Sequence, residues 1–123
     1  VSCAAALAVL DAIEKEGLRE NAARMGERLS GRIEALRARH PALAAVRGAG
    51  LMVGVEIRAG DAPDKAAAAR IVNGMREAGV LISSCGRDHN VLKIRPPLVI
   101  DAAGVDLFAD TLGQVLEAME ARG

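Results

Sequence analysis

The chain has 123 residues, enough for one domain with a single core, and its sixteen basic residues balance sixteen acidic ones to a net charge of zero. That balance excludes the strong basic field of a nucleic-acid binder, and one Phe with no Trp or Tyr leaves no aromatic platform for single strands. No apolar run approaches the roughly 20 residues needed to span a bilayer, so a soluble domain with a core of Ala, Val, Leu, Ile and Met is expected.

Residues 2–16, SCAAALAVLDAIEKE, read as an Ala-rich helix that is apolar almost all round and wants cover on several sides, which one small domain does not supply. The stretch resembles a signal peptide only in hydrophobicity. It lacks a basic n-region, and the acidic Asp11, Glu14 and Glu16 close it. With no initiator Met, Val1 reads as an internal start. After Gly17, residues 18–38 form a second helix whose stripe is Leu18, Ala22, Met25, Leu29, Ile33 and Leu36, with a charged opposite side. His40 and Pro41 end it.

The turn Arg47-Gly48-Ala49-Gly50 leads into LMVGVEI, where Leu51, Val53, Val55 and Ile57 alternate with Met52, Gly54 and Glu56 as in a half-buried strand. Its glycines lack the spacing of a dinucleotide fingerprint, and a strand follows where that motif needs a helix. Residues 61–64, Asp-Ala-Pro-Asp, carry helix-start chemistry for a third helix with Ile71, Val72, Met75 and Ala78 on its buried side and Gly79 at its end. Val80–Ser83 is predicted as a short strand, 84–90 as a turn and Val91–Arg95 as its hairpin partner, stopped by Pro96-Pro97. Asp101 is the predicted N-cap of a last helix with the stripe Val105, Phe108, Leu112, Val115 and Met119. The fold class expected is α+β: a single domain over 1–123, with a small, mainly antiparallel sheet and helices packed on one face.

Chemistry-bearing motifs are sparse. Cys3 and Cys85 have neither metal-ligand nor redox spacing and read as thiols of a cytoplasmic protein. His89 and Asp88 share a turn without a third partner that would make a catalytic set. The most informative segment is Asn90-Val91-Leu92-Lys93-Ile94-Arg95-Pro96-Pro97. Strand alternation turns Leu92 and Ile94 toward the helices and sets Lys93 and Arg95 on the other face, about 6–7 Å apart. Such a pair holds a carboxylate or a phosphate, or simply covers an exposed sheet face.

Taken in order, these segments resemble the C-terminal domain of class III aminotransferases. VSCAAALAVLDAIE is similar to the helix after that family's Gly-Asn-Pro element, VRGAGLMVGVEI to its Arg-Gly-x-Gly-Leu-Met strand entry, and GVLIS with NVLKIRPPLVI to its substrate-end hairpin. The resemblance implies a homodimeric fold-type I parent using pyridoxal phosphate, with residues 1–16 joining this domain to a large domain that holds the Schiff-base lysine before Val1. None of Lys15, Lys65 and Lys93 has the cofactor-lysine context, so no catalytic, cofactor-binding or metal-binding residue is assigned here, and the chain by itself is expected to be inactive. Lys93 and Arg95 are the substrate-binding candidates. Many members of the family carry an Arg three residues before the paired prolines, where this chain has Lys93. The Lys-Ile-Arg-Pro-Pro version resembles the alanine–glyoxylate aminotransferase-like and phospho-lyase branch. The implied reaction is amino transfer from an amino acid or ω-amino donor to a keto acid, or else phosphate elimination from an amino-alcohol phosphate. A rival of another class is a small-molecule-binding regulatory domain built on the strand–helix–strand–strand–helix core.

Overall fold

A computed structural model describes residues 2–15 and 17–122. Glu16, expected in the first helix, and Val1, expected as an internal start, lie outside the described residues. Among the described residues, α2 (Leu18–Arg37) is the one helix or strand that helix α1 (Ser2–Lys15) packs against, and Leu7, Val9 and Leu10 of α1 are 67%, 58% and 62% exposed. The apolar helix therefore lacks the cover its composition calls for. Gly17 joins the two helices in the left-handed region at φ 62°, a conformation that costs glycine little.

In α2 the predicted stripe turns inward: Leu29, Ile33 and Leu36 are buried, with Met25 partly buried against the same core. The helix ends at Arg37, and the residues after it reach a strand that periodicity does not predict. Strand β1 (Leu43–Ala49) pairs antiparallel with β2 (Met52–Ala59), so residues 47–49 belong to a strand and only Gly50 and Leu51 make the turn. Ala44, Ala45 and Ala49 hide β1 from sequence reading, because alanine carries little strand preference. The hairpin tip lies against α2 at Gly26, where a Cβ would collide with the Gly50 carbonyl group. Only glycine at position 26 allows that approach.

Val53, Val55 and Ile57 of β2 are buried, as their alternation predicts. The two-residue strand β3 (Ala62–Pro63) pairs with β2, and Asp64 caps α3 (Lys65–Glu77) by accepting from the Ala67 N–H at 2.9 Å. The inner side of α3 is Ala67, Ala68, Ile71 and Met75. Ala78, expected on that side, is exposed because it sits at the C-cap, past the last turn. The next strand also starts later than predicted, as β4 (Ser83–Cys85) in place of Val80–Ser83. Val80 is drawn back onto α3, its N–H donating to the Met75 carbonyl at 2.8 Å. Pairing therefore begins only at Ser83, and the turn shortens to 86–90.

Strand β5 (Val91–Ile94) lies between β2 and β4, completing the antiparallel order β1-β2-β5-β4. Its ladder ends at Ile94, one residue before the predicted limit, because Pro96 has no N–H to continue it. Asp101 caps α4 (Ala102–Arg122), accepting from the Gly104 N–H at 2.9 Å. Val105, Phe108, Leu112 and Leu116 of α4 complete a core shared by α2, α3 and one face of the sheet. The architecture is the expected α+β fold, with these three helices on one face of a small antiparallel sheet.

Candidate functional site

The face of the sheet turned away from α2, α3 and α4 carries Arg47, Met52, Gly54, Glu56, Arg58 and Lys93, since the alternate residues Val53, Val55, Ile57, Leu92 and Ile94 are buried in the core. Glu56 organises one end of it. Its Oε2 accepts from Arg47 Nη2 at 3.0 Å and its Oε1 from Arg58 Nε at 2.8 Å. The Arg58 hydrogen bond, helped by the charges of both arginines, holds the Glu56 carboxyl below its ordinary range against the opposing effect of partial burial. Two cations of this face are thus already matched by one carboxylate.

Lys93 stands in a different setting. In the ladder it lies between Gly54 of β2 and Ser83 of β4, and Gly54 in turn pairs with Arg47 of β1. Gly54 itself has no side chain and the Val91 side chain leans over it, its Cγ1 3.3 Å from where a Cβ would stand, while Lys93 and Arg47 lie two strand spacings or about 10 Å apart. Lys93 is half-buried, and Arg95 is exposed just past the end of β5. Among the described residues neither has an ion-pair partner. Leu92 and Ile94, at 0% and 2% exposed, fix the strand's facing. The backbone therefore turns Lys93 to the open side as the alternation requires.

The other candidate residues do not gather around this pair. His89 takes a positive φ of 50° in the exposed turn between β4 and β5, beside exposed Asp88. Cys3 is exposed on α1, Cys85 is half-buried at the end of β4, and both are free thiols. Among the described residues no three His, Cys, Asp or Glu side chains come together as metal ligands. A groove of about 530 Å³ between α3 and α4, lined in part by Arg70, Asn73, Gln114 and Arg122, lies on the helical side of the molecule and does not include Lys93 or Arg95. Sequence reasoning misses Asn21, whose side chain holds the segment that follows Arg95, through contacts 77 and 79 residues away along the chain. Its only local signal is a lone Asn near the start of α2.

The antiparallel sheet with helices on one face is shared with a large set of solved structures. The profile of the aminotransferase class-III family matches residues 1–116, and this chain belongs to that family. It is 39% identical to alanine–glyoxylate aminotransferase 2 homolog 2 of Arabidopsis thaliana, over 97% of this chain and 26% of that protein. It is 35% identical to the 4-aminobutyrate aminotransferase of Escherichia coli, over 95% of this chain and 28% of that protein. A phospholyase from Arthrobacter, solved in complex with phosphoethanolamine, superposes with a TM-score of 0.87 at 36% identity, over 91% of this chain and 27% of that one. The chain spans about a quarter of the length of the curated relatives it matches. Membership in an enzyme family takes the place of the regulatory-domain reading. No helix among the described residues is long and apolar enough to cross a membrane.

Proposed function

We propose that this domain forms the substrate side of a pyridoxal-phosphate-dependent aminotransferase, which moves an amino group from an amino acid or ω-amino donor to a keto acid. Lys93 and Arg95 meet the substrate's anionic end. The observation that carries this reading is the pair's isolation: Glu56 satisfies Arg47 and Arg58, while Lys93 and Arg95 have no acid partner among the described residues. A positive charge left unmatched at the end of a rigid strand is a place for an external anion.

Pyridoxal phosphate supplies the electron sink in such chemistry. The lysines of this chain do not fit the role of its Schiff-base partner. Lys15 is exposed on α1 and paired with Asp11 at 2.9 Å, Lys65 is exposed at the start of α3, and Lys93 lies on the open sheet face. The cofactor lysine accordingly belongs to another part of the parent protein. A homodimeric parent is in accord with the family resemblance, and the free thiols are in accord with a reducing, cytoplasmic compartment. Residues 1–16 are read as the connection to the large domain, in accord with the uncovered apolar surface of α1.

The test is made in the full-length enzyme. Replacing Lys93 with Ala is expected to weaken half-transamination of anionic amino donors, and an unchanged rate would remove Lys93 from the site. A second reading, elimination of phosphate from an amino-alcohol phosphate, is favoured by the paired cations, which suit a dianion better than one carboxylate. Release of inorganic phosphate from phosphoethanolamine supports it. Brisk amino transfer with no such release decides for the transaminase.

A further inference from the structure

The segment between β5 and α4 leaves Arg95 at the edge of the proposed site and then runs through two prolines with no N–H to bond. Burial fixes only part of its path: Ile100 packs against the core, whereas Leu98 and Val99 are 44% and 65% exposed. Its own backbone contributes one turn, the Ile100 N–H donating to the Pro97 carbonyl at 3.0 Å. Among the described residues, the other hydrogen bonds to its backbone before Asp101 come from a single side chain on another element. Both N–H groups of the Asn21 amide are used: Nδ2 donates to the Leu98 carbonyl at 2.8 Å and to the Ile100 carbonyl at 2.9 Å. Asn21 is itself fixed, because its backbone N–H donates to the Gly17 carbonyl at 3.0 Å in the first turn of α2.

We infer that Asn21 is a positioning residue for the proposed substrate site: its side-chain amide clamps residues 98–100 to α2 and so sets where Arg95, past the end of the ladder that holds Lys93, meets the substrate. The inference rests on the reading of Lys93 and Arg95 as the anion-binding pair. The clamp is sited one turn past Gly17, the joint between α1 and α2. The exit of the site is thereby tied to the helix pair through which α1 meets this domain, and not to the sheet alone.

The chemistry of the clamp separates it from simple packing. Asparagine and aspartate have nearly the same shape, but an aspartate offers no donor and sets its charge against two carbonyl oxygens. In the full-length enzyme, Asn21→Ala is expected to raise KM for the anionic amino donor about tenfold while kcat changes much less, the loss of two net hydrogen bonds. Asn21→Asp is expected to exceed it. Amide exchange, followed by mass spectrometry, should quicken in residues 95–104 and stay slow in β2 and α2. In an Arg95→Ala background, Asn21→Ala should add little. An Asn21→Asp enzyme that behaves like wild type shows that only shape matters and overturns the clamp. So does a variant in which kcat and KM shift together with protection lost throughout the domain. If Lys93→Ala alone leaves KM unaltered, the substrate reading has failed by itself. The positioning role falls with it, and local exchange in 95–104 then decides whether Asn21 holds the segment at all.

Discussion

Charges are arranged differently on the two sides of this domain. Where α2 meets α4, Arg28 donates to Asp106 at 2.9 and 2.7 Å, and Arg32 donates to both Asp106 and Asp110, so that each guanidinium has a carboxylate and Asp106 is shared. On the open face of the sheet Glu56 serves Arg47 and Arg58, and the series then stops one row short of Lys93. The helical side uses charge to hold two elements together over a chain separation of 74 to 78 residues. On the sheet side Lys93 and Arg95 have no acid partner among the described residues, and the proposed anion site rests on that.

That contrast can be broken or sharpened by substitution. The largest effect belongs to the core beneath the helical side. Leu112→Ala empties a fully buried position and is expected to cost about 2–5 kcal/mol in denaturant unfolding. Next is the lower end of α4. His40 is 3% exposed, its Nδ1 lies 2.6 Å from Glu120 Oε1, and its Nε2 is buried with no partner among the described residues. Glu120→Ala leaves the second ring nitrogen unpartnered as well and is expected to lower stability by about 1–3 kcal/mol. Glu120→Gln keeps an acceptor and should recover most of it.

A smaller effect is read from pH. The Arg28 hydrogen bond, with the Arg28 and Arg32 charges, holds the Asp106 carboxyl below its ordinary value. Its contribution is therefore present above the unfolded value of about 3.9 and is lost as pH falls through the folded one. Thermal unfolding followed from neutral pH into acid should show a steep decline, and Asp106→Asn should flatten it. The smallest change in stability is expected at the site. Lys93→Ala should leave the unfolding free energy within about 0.5 kcal/mol of the parent's. A loss as large as that at Glu120 would mark Lys93 as scaffold and erase the distinction between the two sides.

Features written in neighbouring residues are legible in the sequence. The alternation of β2, the stripes of α2 and α4, and the caps at Asp64 and Asp101 are of this kind. The facing of Lys93 follows from the same alternation. The features that escape depend on distant partners. Strand β1 exists because β2 folds back on it, in spite of its alanines, and β4 takes its register from β5 while Val80 is held by α3. The contacts Asn21–Leu98 and His40–Glu120 bridge 77 and 80 residues, and no local pattern announces them. The ordered motifs carry the family resemblance because each is short and local.

The position of β5 bears on how the domain is made. The Val53–Glu56 stretch of β2 gains its second neighbour only when Val91–Ile94 arrives, about forty residues later in synthesis. Until then the β1–β2 hairpin presents the Val53–Glu56 edge with nothing paired to it, along with the apolar face that α4 will cover. On the ribosome such an edge is an invitation to wrong partners. Slowing translation before residue 91 should therefore lower soluble yield, whereas a pause after the last turn of α4 has emerged should leave it unchanged.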